Sequence, residues 1–332
     1  MKRILPALIL ILCLALGACT SGGTLGESAS FLCPDAQSCA VVGDKLILAR
    51  RGGVKCFDLE GNEVFDSALS QLDAAVSASA AGAIAYCVGG NTVVFDDAET
   101  LTTDNAIVSA SLSDCGMAAV CTFEPGYKGA VTVYSAEKSA VYKWYSALGE
   151  VSCAQVSPDG GQLAVCAENK LHLLCLDGKS AQGEYDCPEE LRAIAWLDGA
   201  VCGIGSGGVY FLSSDGVKSL EHSFGDGITG KYGVLDGRLI IEVREDEKSR
   251  VCILSKDAEP ENEIKLQGSV LGMDCSDDRI LILTHDTVGV YDRKGRLVST
   301  GDASGVSEAM LLDGGRVLTV GGGTAKILQN DR

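Results

Sequence analysis

His172, His222 and His285, fifteen cysteines and forty-five acidic residues are the groups in this 332-residue sequence that could do chemistry. The three histidines lie far apart. None has a second His or a Cys at ligand spacing, so a histidine-based metal centre or acid–base pair is unsupported. No serine sits in a nucleophile-elbow context. The run Gly203-Ile204-Gly205-Ser206-Gly207-Gly208 formally matches G-x-G-x-x-G. A dinucleotide fingerprint needs a strand before that run and a helix after it. Here another strand-like run follows, Val209 to Leu212, so the glycines read as a hairpin loop, and Gly321 to Gly323 read the same way. Most aspartates stand singly at turn positions, where the side chain bonds the local backbone. No D-x-[DN]-x-[DN]-G calcium loop is present. The residues therefore point to no catalytic centre, no cofactor and no metal.

The cysteines tell a similar story. There is no C-x-x-C, which leaves zinc ribbons and thioredoxin-type exchange without support. Cys166, Cys175, Cys202 and Cys252 lie inside apolar runs, as small buried hydrophobes do. Cys33 and Cys39 flank a short turn containing Pro34 and are the pair to test first for a bridge. At the other end of the scale is Cys19. It follows Lys2-Arg3, an apolar run from Ile4 to Leu16, and the tetrapeptide Leu16-Gly17-Ala18-Cys19. A positive start, a 13-residue apolar stretch and small residues before a cut site form a secretory signal, too short to span a bilayer. The tetrapeptide resembles a bacterial lipobox. That resemblance implies a signal peptide over 1–18, lipid on the Cys19 thiol, and an extracytoplasmic protein held to a membrane by its acyl chains. Residues 19–27, rich in Gly, Ser and Thr, read as a flexible tether. Residues 28–332 read as one domain.

Charge narrows the partners. With 27 Lys and Arg against 45 Asp and Glu, the chain has a net charge of -18. Nucleic acid and anionic lipid surfaces both need clustered cations, so neither is an expected partner beyond the acyl anchor. A protein or another cell-envelope component is.

The elements that position these residues follow from a repeat. Asp-Gly between apolar runs marks a hairpin. It occurs at Asp159, Asp177, Asp198, Asp215 and Asp236, with alternate turns 38 or 39 residues apart. Two hairpins per unit make four strands per unit, the blade of a β-propeller. Extending the phase gives first-hairpin turns near Gly43, Ala81, Asp114, Asp159, Asp198, Asp236, Asp277 and Asp313. Second-hairpin turns fall near Glu60, Asp97, Ala136, Asp177, Asp215, Lys256 and Lys294. That is one second hairpin short of eight full units. The segment Ser28 to Cys33 can supply the missing outer strand. The expected fold is all-β: eight four-stranded blades closed by an N-terminal strand, with seven blades and irregular ends as the alternative.

Val156 to Lys179 (VSPDGGQLAVCAENKLHLLCLDGK) resembles the repeat of WD40-like and TolB-type propellers. Val131 to Trp144 (VTVYSAEKSAVYKW) resembles a quinoprotein-like (PQQ-like) repeat. A lipid-anchored eight-bladed propeller also resembles the outer-membrane assembly lipoprotein of the β-barrel machinery. These resemblances imply a binding or scaffolding module without catalytic activity. They leave two alternatives open: an envelope-assembly factor, and a polysaccharide-acting enzyme using carboxylates in the central funnel.

Two segments exceed what the repeat needs. Glu124-Pro125-Gly126-Tyr127-Lys128-Gly129 joins the second and third strands of unit three. Arg244 to Arg250 does so in unit six. Such loops emerge on one face of the disc, and insertions there often carry recognition. The expected partner contacts are Glu124, Tyr127, Lys128, Arg244, Glu245, Asp246 and Arg250. Tyr142, Trp144 and Tyr145 form the densest aromatic group. Alternation puts Tyr142 and Trp144 on one strand face, where packing between blades is expected.

Overall fold

A computed structural model describes residues 22–147, 149–246 and 248–330. The expected signal peptide and Cys19 lie outside the described residues. Seven four-stranded antiparallel meanders follow one another in the chain, and the last of them shares an eight-stranded sheet with a further blade. Blade one spans Ser38–Ala68, blade two Ala74–Thr102, blade three Ile107–Ser146 and blade four Val151–Asp186. Blade five spans Ala193–Ser223, blade six Ile228–Leu266 and blade seven Gly272–Asp302. Blade eight takes three strands from Glu308–Asn330 and its fourth from the N-terminal strand Gly23–Leu32. The ring has eight blades, not seven.

Each expected hairpin falls between paired strands. At Asp236-Gly237 both residues have positive φ, 50° and 69°, the pattern of a type I′ turn, whose twist matches that of the strands it joins. The second strand of each blade is nearly continuous in apolar residues because both of its faces are covered by neighbouring blades. Leu163–Ala167 in blade four and Ile280–Leu283 in blade seven are buried throughout.

Innermost strands have a free edge toward the axis, where amides and carbonyls lack ladder partners. Short polar side chains from the adjacent blade meet them. Ser38 Oγ accepts from the Val76 amide at 3.1 Å, and Ser77 Oγ accepts from the Leu112 amide at 3.1 Å. Ser111 Oγ donates to the Ala154 carbonyl at 2.8 Å, and Ser152 Oγ donates to the Leu191 carbonyl at 2.7 Å. Asp274 Oδ2 accepts from the Leu311 amide at 2.8 Å. The Ser and Ala content of these strands thus has two causes: small side chains let eight strands converge, and hydroxyls tie blades one to five in succession.

Ring closure differs from the expectation in extent. The N-terminal strand begins at Gly23, not Ser28, so the last five residues of the expected tether are paired. Leu25 to Leu32 run antiparallel to Asn330 to Thr324, while Gly23 and Thr24 pair in parallel with Ser299 and Thr300 of blade seven. One strand therefore joins two blades. The thirteen described cysteines, Cys33 and Cys39 among them, are free thiols. Cys39 instead brings its sulfur to 3.6 Å from Met310 Sδ, across the junction of blades one and eight. Among the described residues no helix is long and apolar enough to cross a membrane.

Candidate functional site

Turns between second and third strands share one face of the disc with the connections that lead from each blade to the next. Blade three carries the expected loop there. Phe123 to Lys128 bridges strands Ala118–Thr122 and Gly129–Tyr134, with a turn closed by the Tyr127 amide on the Glu124 carbonyl at 3.0 Å. Glu124 is fixed rather than free. Its carboxylate accepts from Lys143 Nζ at 2.9 Å and from Asn105 Nδ2 at 3.2 Å. Lys143 in turn lies 5.0 Å over the Tyr145 ring, and Tyr145 packs against Tyr127 with centroids 4.6 Å apart. The hydrogen bond that Lys143 donates to Glu124 raises the Lys143 pKa, which keeps this cation charged. Lys128 is exposed beside the pair.

The result is a preorganised aromatic surface. Phe123 is 57% exposed, Tyr127 47% and Tyr145 41%. Leu72, in the connection into blade two, and Val88, in that blade's second turn, are exposed on the same face, where the Val88 amide bonds the Asp73 carbonyl at 3.1 Å. Single exposed apolar residues are ordinary, whereas a cluster rimmed by charge marks an interaction surface. Phe123, Leu72 and Val88 were not identifiable from the sequence, since each is one apolar residue in a strand-rich chain. Tyr142 and Trp144 turn inward as expected and pack on the core between blades three and four.

Blade six corrects an expectation. Arg244 to Arg250 is not a loop. Strands Arg238–Glu245 and Lys248–Leu254 extend until Arg244 pairs with Ser249 and Glu245 with Lys248. Alternating charges conceal the strands, and Arg250 braces them through Glu245 at 2.8 Å and Glu263 at 3.0 Å. Asp246, with φ 55°, makes the turn. This hairpin and the blade-three loop share a face but stand three blades apart, so the structure does not unite them in one site.

The channel along the axis holds cavities of about 280 and 660 Å³, both lined by Ser77, Gln155, Ile194 and Tyr232. Two carboxyls on the inner strands of blades seven and eight have raised pKa values. Burial raises Asp274, against the amides of Leu311 and Cys275 that hold its oxygens. Burial raises Glu308, with the charge of Lys231 opposing. They do not form an acid–base pair: one is committed to backbone amides and the other answers to a lysine. Among the described residues no group of three His, Cys, Asp or Glu is placed to hold a metal ion.

The glycine run at 203–208 does cradle an anion, and that anion is the protein's own. Glu189 Oε2 accepts from the Ser206 amide at 2.6 Å and the Gly207 amide at 3.0 Å, and Oε1 accepts from Tyr210 OH at 2.7 Å. Burial alone would raise the Glu189 pKa. The donors around it, led by Ser206 and Tyr210, outweigh that and hold it below the usual range. The loop joins two strands, as expected, and its Ser206 and Gly207 amides are already taken by Glu189.

No family model and no curated protein matches this sequence. Solved structures match its fold. BamB from Moraxella catarrhalis superposes with a TM-score of 0.63 at 12% identity, covering 92% of this chain and 100% of that one. Sqt1 from Saccharomyces cerevisiae gives 0.69 at 10% identity, covering 94% and 100%. BBS1N, solved in complex with ARL6DN, gives 0.56 at 14% identity, covering 94% and 98%. At these identities the similarity shows the fold: the chain is a β-propeller.

Proposed function

We propose that this chain is a lipid-anchored, extracytoplasmic propeller that binds a protein partner through blade three and does no catalysis. The observation that carries the reading is the exposed Phe123–Tyr127–Tyr145 cluster, held in place by the Glu124–Lys143 ion pair. Aromatic side chains supply much contact area at low entropic cost, and are enriched at protein interfaces. A protein partner is also what the similar BBS1N fold carries in its complex with ARL6DN.

The anchor and the surface fit one geometry. Only three residues separate Cys19 from Gly23, where strand pairing begins. At about 3.5 Å per residue, an acyl group on Cys19 would hold the rim at blades seven and eight within roughly 15 Å of a bilayer. Blade three lies across the ring from that rim, where a partner could reach it. In the envelope-assembly reading, that partner is a component of the assembly machinery.

A photocrosslinking residue at Tyr127, against one at the still more exposed Val217 of blade five, tests the binding surface in the native envelope. A discrete protein adduct is expected from position 127 alone, and equal labelling from both positions overturns the reading. A clickable fatty acid tests the anchor, since its label should disappear in Cys19→Ala.

A further inference from the structure

Most cations in this acid-rich chain have a carboxylate beside them. Lys55, Lys138, Lys170 and Arg250 each have two. Three of the cations without one share a single place. Arg192, Lys231 and Arg244 form no ion pair with any described residue, and all three line one cavity of about 360 Å³. It opens between blades five and six, on the face that carries the blade-three loop. Arg192 precedes the inner strand of blade five, Lys231 lies on the inner strand of blade six, and Arg244 is the penultimate residue of the second strand of blade six. Convergence from three places far apart in sequence is a product of the fold.

The surroundings are ordered for this purpose. The Arg192 guanidinium donates through Nη2 to both the carbonyl and the hydroxyl of Thr229, which fixes its direction. Thr229 is itself held, its hydroxyl donating to the Gly205 carbonyl at 2.5 Å. Behind the cations Glu242 is 2% exposed. Its oxygens are already engaged by the Lys231 amide at 3.1 Å, Ser249 Oγ at 2.9 Å and the Val270 amide at 3.3 Å. A bulge between Thr229 and Tyr232 wraps the backbone around that carboxylate, and a Cβ on Gly230 would overlap it. Glu242 therefore shapes the cavity floor through backbone bonds, and one buried carboxylate is outnumbered by three cations. The charge of Lys231 also acts on Glu308 of blade eight, which lies further along the channel wall.

We propose that this mouth binds an oxyanion, a carboxylate or phosphoryl group carried on a small organic body. Two guanidiniums supply fork-shaped donors that match planar oxyanions, and the ammonium adds a point charge. Ala193, Ile204 and Val270 give the cavity apolar walls for the body that carries the group. A volume in this range suits a small molecule or one side chain rather than a bare ion. The same chemistry has two sources, a free organic anion or an acidic side chain of a bound protein. The site stands independently of the blade-three surface.

Calorimetric titration of the intact chain tests the site with three probes: citrate, inorganic phosphate, and a capped Ala-Glu-Ala peptide. At least one should bind saturably at millimolar concentration or below. Lys231→Gln and Arg244→Gln, whose side chains make no hydrogen bond within the described structure, should each weaken it by roughly tenfold. Lys128→Gln, on the blade-three loop, should leave it unchanged. Binding of citrate or phosphate but not peptide assigns the site to a free anion, and the reverse assigns it to a partner's side chain. No saturable binding of any probe, or equal affinity in Lys231→Gln and Lys128→Gln, overturns the proposal. Loss of crosslinking at Tyr127 with anion binding intact would sink the partner surface and leave this site standing.

Discussion

The N-terminal strand of blade eight and the outer strand of blade three, Ala140–Ser146, occupy the same place in their blades and do different work. The first is joined to its blade by pairing alone. It buries Leu25 against Leu281, Leu283 and Leu328, and its bond from Ser28 Oγ to the Ile327 carbonyl spans nearly the whole chain. The second is joined to its neighbour by a tight hairpin and divides its faces cleanly. Tyr142 and Trp144 pack inward, while Lys143 and Tyr145 face out to build the candidate surface. Covalent continuity is the difference. A hairpin-linked outer strand is held even when half its side chains contribute nothing to the core, so its outer face is free to vary for recognition. The strand that closes the ring must instead find its register across the whole chain.

Removing the closing strand should therefore have the largest effect of any change considered. Deletion of Gly23–Leu32 strips the Leu25 contact and exposes the free edge of Thr324–Asn330. The melting temperature should fall by roughly 10 °C or more, since each kcal/mol is worth about 2–4 °C in a domain approaching this size. Differential scanning calorimetry reads the shift, and a deletion variant that melts with the parent would make the closure dispensable.

How much of this was legible depends on whether the signal is local. The Asp-Gly turns are local chemistry, so their 38–39-residue phase revealed blades, count and closure together. The start of the closing strand was misplaced because Gly22-Gly23-Thr24 reads as linker. Its partners, Ser299 and Thr300, are 276 residues away in register. The blade-six hairpin read as a loop because its strands carry Arg, Glu, Lys and Ser rather than an apolar alternation. What holds it is cross-strand charge, Arg250 with Glu245 and Glu263, which hydrophobic periodicity does not register. Arg192 and Lys231 are single cations 39 positions apart, and only the blade repeat brings them together. Cys19, by contrast, was read wholly from a local pattern.

The two faces of Ala140–Ser146 sharpen the contrast within a single strand. Trp144→Ala removes a large ring packed against the blade-four core, with its centroid 5.3 Å from that of His172. It should cost about 3 kcal/mol by urea denaturation, the low end for aromatic truncation because the ring is only partly buried. Tyr145→Ala, one position on, should cost under about 1 kcal/mol. Equal costs would mean that the outer face is structural too, and its availability for a partner would lose its basis.

The smallest effect expected is a slope in pH at the strand that Trp144 packs on. His172 lies in the third strand of blade four, Lys170–Cys175. Burial lowers its pKa below the ordinary 6.5, although Glu184 and Glu168 work to raise it and Lys170 adds to the lowering. Its Nε2 is buried with no hydrogen-bond partner, so a proton there would have nothing to bond. Between the lowered folded value and the unfolded value of about 6.5, the unfolded chain holds a proton that the folded chain does not. Stability then rises with pH across that window and falls as pH drops below about 6.5. His172→Gln removes the titration and should flatten this part of the pH–stability curve, while Trp144→Ala, by opening the site to water, should make it shallower without abolishing it. Urea midpoints at pH 7.5, 6.5 and 5.5 for the three proteins would decide it. If His172→Gln kept the parent's slope, the inward face of this strand would not be the source of the acid sensitivity, and the contrast between the two faces would rest on packing alone.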